Sequence, residues 1–489
     1  MSWQKIWIFF FGAVSFLLVF HVVFAQEQTP RERWSEPYRL SSEAGKASEG
    51  YCVADGYGYV HCLWTEILFE DSRTIIQYAR FDGETWSGPN DVYVTGAAIG
   101  NVSPVVDQQG ILHIVWVEGL SGPAFYTHAP ANDALSARSW APPLQIDIPA
   151  NTLHLQVDSK GVLHILYINR TDAPGIYHVA SEDQGKTWSE ITWLDPDILS
   201  NHIPDSLSFQ IDENDGLHAA WFYGGLDQDT RPDWVRYTHS FDGGATWSVP
   251  FLIDHYVEAR EHNLTVASPV MIVSGKSVHV IWAAGSLPYR YHRFSTDAGE
   301  TWSPSRQIFG ELHGQAFDGL AVDDGGRVHF FGQIRYPIGI YHSYWNENQW
   351  TSPSLIYLIA NEGDQGFGDR IHAHHTFPVV RAGNQLVFTF GDGPAEPGRR
   401  LFAMQLTLDD IAPQMLLPTP APTITTATVA RIDSQPKPTS TPTVKVFDIT
   451  SEPLEAATAP SLALQAAMLP TLLLLVIVVL TRLLYKLKS

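Results

Sequence analysis

The stretch SEDQGKTW, Ser181–Trp188, has close relatives at SFDGGATW (Ser240–Trp247) and STDAGETW (Ser295–Trp302). Its residue types define a turn. The Asp carboxylate and Ser hydroxyl can bond nearby backbone N–H groups, the Gly supplies a left-handed backbone, and the Trp folds over as an apolar lid. Asp183, Gly185 and Trp188 occupy these places in the first copy, Asp242, Gly244 and Trp247 in the second, and Asp297, Gly299 and Trp302 in the third.

Working outward, the tryptophan recurs more often than the full turn. RWSEP (Trp34), TWSGP (Trp86), SWAPP (Trp140), TWSEI (Trp188), TWSVP (Trp247), TWSPS (Trp302) and QWTSP (Trp350) make seven copies. Offset from them run YVHCLW (His61), ILHIVW (His113), VLHILY (His164), GLHAAW (His218), SVHVIW (His279), RVHFFG (His329) and the degenerate QLVFTF ending at Phe390. An alternating run and an Asp/Gly turn precede each of these, and a Tyr- or Phe-bearing run follows. All are short, rich in β-branched and aromatic residues and bounded by turn residues, which makes them strands.

Each unit thus holds a strand A before the Asp/Gly turn, a strand B with the histidine, a strand C with the aromatic residue, the acidic turn, and a strand D after the tryptophan. Four antiparallel strands repeating about every fifty residues describe the blades of an all-β propeller. Seven blades fit the count, six being the alternative. The phase of the ends predicts closure: a lone D strand follows Trp34, and the last C strand, Leu401–Leu406, has no tryptophan turn after it.

The acidic turn resembles the Asp-box of the sialidase-like, BNR-repeat propellers, and the resemblance runs over roughly residues 33–410. RFDGETW is one residue short of a full box, and SYWNENQW has lost its Asp and Gly. In that family the box lies away from the active face and its acid holds the turn. The likeness implies either a glycan-binding propeller or an exo-glycosidase of sialidase type. A sialidase needs three arginines around a carboxylate, an acid/base carboxyl and a Tyr activated by a Glu. The family's FRIP arginine signature is missing here, and sialidases have six blades, so no catalytic set carries over.

The ends lie outside any globular core. Lys5, the apolar run Ile6–Phe24 and VFAQ read as a secretory signal peptide, residues 1–25, cut after Ala25, with an uncleaved anchor as the alternative. The propeller spans 26–411. A Pro/Thr-rich stretch, 412–460, cannot bury enough apolar surface to order itself and reads as a disordered stalk. Residues 461–481 include LALQAAMLPTLLLLVIVVL, long enough to cross a bilayer as a helix, and a short basic cytoplasmic tail, 482–489, places the propeller outside the cell. A formal charge of −22 argues against nucleic acid as a partner. Two cysteines, Cys52 and Cys62, exclude a disulfide scaffold and a cysteine zinc cluster; flanking a short turn, they are placed to bond to each other as cross-strand neighbours.

Propellers bind ligands around the channel, on the face from which the B–C and D–A loops emerge. The catalytic candidates there are Glu66, Glu118, Asp205, Asp318 and Tyr336; the ligand-binding candidates are Arg170, Arg260, Arg335, Arg370 and His375. His372 and His374 of DRIHAHHT share a strand face as weak metal candidates, whereas the strand-B histidines sit at one equivalent position in separate blades and cannot converge on one ion. Asn101, Asn169 and Asn263 lie in N-glycosylation sequons. The expected function is recognition of an extracellular glycan or protein ligand by a membrane-anchored propeller without a cofactor, with exo-glycosidase activity as the alternative.

Overall fold

The computed structural model describes residues 33–418, apart from 120, 172, 197–201, 226–232, 257–264, 286, 315–316, 347, 360–376 and 394–397. Seven antiparallel sheets follow one another along the chain. In blade II, for example, strands A to D are Ile99–Val106, Ile111–Glu118, Pro123–Pro130 and Leu144–Pro149. Blade VII combines Val379–Arg381, Gln385–Asp392 and Arg400–Thr407 with Tyr38–Arg39 from the other end of the chain, in the order expected from the phase of the termini. Tyr38 lies opposite Ala403 and Arg39 opposite Phe402.

Two blades depart from the four-stranded plan. In blade I, strand A is broken into Gly45–Ala47 and Tyr51–Ala54, both on strand B. In blade VI, Gln349–Trp350 and Ser354–Tyr357 both pair with strand C, making a five-stranded sheet. Cys52 and Cys62 are bonded, in direct register between strands A and B of blade I. Among the described residues no helix is long and apolar enough to cross a membrane, and Leu462–Leu480 lies outside them.

The core is a series of inter-blade layers. Trp64, Trp116, Trp221 and Trp282, each three residues after a strand-B histidine, are fully buried. The box supplies a second layer. In each complete copy the Ser hydroxyl donates to the Asp and accepts from the Gly N–H, while the Asp takes both the N–H and the hydroxyl of the Thr before the Trp. Bonds from Thr187 hold Asp183 down at about 2, and bonds led by Ser295 do the same for Asp297.

The glycine matters for a reason beyond its left-handed φ. A Cβ at Gly185 would collide with the Tyr126 ring, at Gly244 with His178, and at Gly299 with Tyr237. Each is a strand-C ring of the preceding blade. The tryptophans cover the same rings: Trp140 on Tyr78, Trp188 on Tyr126, Trp247 on His178, Trp302 on Tyr237, Trp350 on His292 and Trp34 on His342, at 4.8 to 6.3 Å between centroids. The turn recurs because it is the docking surface between one blade and the blade before it.

Candidate functional site

The strand-B histidines complete this architecture. In blades I, II and IV the histidine bridges a strand-C tyrosine and the Asp of the A–B turn: His61 with Tyr78 at 2.7 Å and Asp55 at 3.2 Å, His113 with Tyr126 and Asp107, His218 with Tyr237 and Asp212. In blades III, V and VI the strand-C partner is a second histidine: His164 with His178, His279 with His292, and His329 with His342. Burial lowers His61, His164, His218, His292 and His329, and pushes His178 to about 3, with help from His164, and His279 to about 4. The spacing Asp-x5-His, present at Asp55, Asp107, Asp158, Asp212 and Asp323, is the sequence signal of this network.

A cavity of about 1000 Å3 lies among strand A residues of all seven blades. Of the sequence candidates, the structure brings Arg170, Asp205 and Asp318 to its wall. Asp205 and Asp318 open their A strands and Arg170 follows a B strand, so topology places them at the loop end, as the sequence predicts. Asn101 also lines the wall; its side chain bonds both backbone groups of Leu153 in the next blade. Asn169 is buried, accepting from Thr171, so the amides of these two sequons are engaged inside the fold.

The acids on this wall are held by partners. Asp318 forms a two-pronged pair with Arg290, Nε to Oδ2 at 2.9 Å and Nη2 to Oδ1 at 3.1 Å, both side chains fully buried. Arg290 also donates to the Gly314 carbonyl at 2.5 Å. Arg170 bonds the Asp205 carboxylate and donates to the carbonyls of Asp205 at 2.8 Å and Pro204 at 3.0 Å, locking blade III to blade IV at the rim. Glu49 accepts from the Tyr51 hydroxyl at 2.8 Å. Burial first, and then the Glu49 charge, raise Tyr51 well above the ordinary phenol range.

Other candidates sit elsewhere. Glu66 is buried beside Trp64, whose indole donates to it at 3.3 Å, and takes both the N–H and the hydroxyl of Ser42. Glu118 lies beside Tyr93 of blade I, whose phenol is raised by burial and then by that carboxylate. Tyr336 is half exposed, stacked on His313 at 4.9 Å, and neither it nor Arg335 contributes to the cavity wall. Arg260, Arg370, His372, His374 and His375 lie outside the described residues, among which no three His, Cys, Asp or Glu side chains gather as a metal set.

Sequence reasoning missed Glu49, Tyr51 and Arg290. The first two precede and open the second segment of a broken A strand that no repeat alignment shows. Arg290, in RYHRF, reads as an ordinary solvated strand residue until its burial is seen.

Fold and sequence together define a class, the seven-bladed β-propeller with Asp-box turns. No family and no curated protein matches the sequence. Among solved structures, the chain is similar to a protein of unknown function from Dyadobacter fermentans, with TM-score 0.50 and 14% identity over 78% of this chain and 100% of that one. It is also similar to a polysaccharide lyase, the PL25 ulvan lyase, with TM-score 0.54 and 11% identity over 75% and 95% of the two chains. The NanB sialidase of Streptococcus pneumoniae aligns with TM-score 0.43 and 12% identity over 78% and 71%.

Proposed function

We propose that this protein is a saccharide-binding propeller, secreted and tethered at a cell surface by Leu462–Leu480, that seats its ligand in the loop-side mouth of the channel. One observation carries the reading: each of the three described acids on the channel wall is held by a partner, Glu49 by Tyr51, Asp205 by Arg170 and Asp318 by Arg290. The two-carboxylate route of most glycoside hydrolases needs both carboxyls free to face the bond; a Tyr nucleophile is the sialidase exception. A wall that otherwise carries polar groups such as Thr152 and Gln210 suits recognition of a polyol instead. The ulvan lyase illustrates that a propeller of this kind accommodates polysaccharide.

Hydrolysis is the second reading, favoured by the Tyr51–Glu49 hydrogen bond, a pairing that a sialidase-type nucleophile requires. The raised Tyr51 phenol, which stays protonated, counts against it.

The test is a glycan array probed with the detergent-purified full chain and read for both retained protein and released sugar. The binding reading expects retention without release, weakened roughly tenfold by Arg170→Ala, about 1.4 kcal/mol. Sugar release that disappears in Tyr51→Phe or Asp205→Asn would replace it with the hydrolase reading.

A further inference from the structure

Blade VI departs from the repeat at its acidic turn. In SYWNENQW, Trp345 stands in register where a box has its Asp, and Gln349 where it has its Thr. The box Asp is replaced by Trp345, and the backbone pairs with itself: strand C extends to Asn346, and Trp345 and Asn346 lie opposite Trp350 and Gln349. The two indoles sit 5.5 Å apart, and both rest edge-on against His292 of blade V, at 4.9 and 5.4 Å.

Where complete boxes press a glycine onto the preceding blade, this turn leaves an open cleft of about 450 Å3 against strand D of blade V, Arg306–His313. Trp345, Trp350, Phe294 and Phe309 give it aromatic walls; Gln307 and Asn348 bring amides to the rim. Phe309 is held with φ +65, a left-handed conformation that a bulky side chain rarely adopts. It packs on Phe330 at 4.4 Å. The cleft and the channel share no lining residue.

We propose that this cleft is a second saccharide site, taking the ring of a neutral pyranose. Its volume falls in the range of small-ligand pockets. Aromatic planes match the C–H face of a sugar ring, and amides match its hydroxyls. Charge narrows the class further: Arg306 is the one charged side chain among the described lining residues, and His292 is kept neutral by burial. Among the described lining residues a cation finds no acid, and a polyanion finds a single exposed guanidinium. The inference stands independently of the channel reading, because it rests on other residues.

The experiment is saturation-transfer NMR on the detergent-purified full chain with methyl glycosides of glucose, galactose, mannose and N-acetylglucosamine, alongside tryptophan emission. At least one glycoside binds and perturbs the emission, and Trp345→Ala and Gln307→Ala each weaken that binding at least roughly tenfold. Gln307 is exposed, so its variant decides the matter if Trp345→Ala fails to fold. The proposal is overturned if none of the four binds or if binding survives Gln307→Ala.

Discussion

Lowering the pH from 7.5 to 5 should strip several kcal/mol from the stability of this fold, and the loss should come from histidines. His178 and His279 are buried and neutral, at about 3 and about 4, because desolvation penalises the charged ring. In the unfolded chain both titrate near 6.5. The native values are depressed, so the unfolded state takes up protons that the native state refuses; the stabilisation is complete above about pH 7 and is lost as pH falls through 6.5 toward 4. At pH 5 each ring forfeits about 2 kcal/mol, or about 4 kcal/mol together, a large share of the ~5–15 kcal/mol that holds a typical domain. His61, His218 and His329 add less, because Asp55, Asp212 and Asp323 offset part of the burial. The box acids Asp183 and Asp297, at about 2, give way only below the usual carboxylate range, so their effect falls in a separate window. Urea midpoints followed by tryptophan emission at pH 7.5, 6.5, 5.5 and 5 measure the slope, which should approach ~2.7 kcal/mol per pH unit below 6 from these two rings. A stability that moves by less than about 1 kcal/mol over that range would refute the reasoning.

Further outcomes follow from packing. Arg290→Met leaves the Asp318 carboxyl buried without its guanidinium, and thermal melts should show a loss of about 3–5 kcal/mol, most of it recovered in Arg290→Met/Asp318→Leu. Gly243→Ala and Gly244→Ala form an internal comparison: both glycines have left-handed φ, but a Cβ at 243 meets nothing within 4 Å whereas at 244 it strikes His178. Urea unfolding should show about 1–2 kcal/mol lost at 243 and an additional ~1–3 kcal/mol at 244. Replacing Cys52 and Cys62, ten residues apart, with serine frees a short loop in the unfolded chain and should lower stability by about 2–3 kcal/mol in the same assay.

The fold was legible because its signals are local and repeated. Trp34 and Leu401–Leu406 alone reveal the phase of the ring and which ends share a blade, and the structure pairs them as that phase requires. The site was legible only in part. Asp205, Asp318 and Arg170 follow from a topological rule about which loops share a face. Whether an acid there is free depends on a partner in another blade: Arg290 lies 28 residues from Asp318, and Asp205 lies 35 from Arg170. Glu66 shows the converse failure. It has the offset of a loop residue after strand B, yet strand B continues to Leu68 under Gly45–Ala47, so the side chain is roofed over. Repetition along one chain carries information about the blade; pairing across blades carries information about the channel, and a single sequence holds little of the second kind.

The two-residue closing strand, Tyr38–Arg39, concentrates the integrity of the ring in a very small fastener. Trp34 reinforces it by standing edge-on to Phe331, His342 and Phe388 at 5.3 to 5.7 Å. A protease that cut just after Arg39 would release the closing strand together with Trp34. It would also turn Arg400–Thr407 into a bare eight-residue border, the kind of edge that recruits strands from other molecules. The first consequence of such a nick would therefore be polymerisation rather than unfolding, and the segment before Tyr38 is as much a guard against self-association as a part of blade VII.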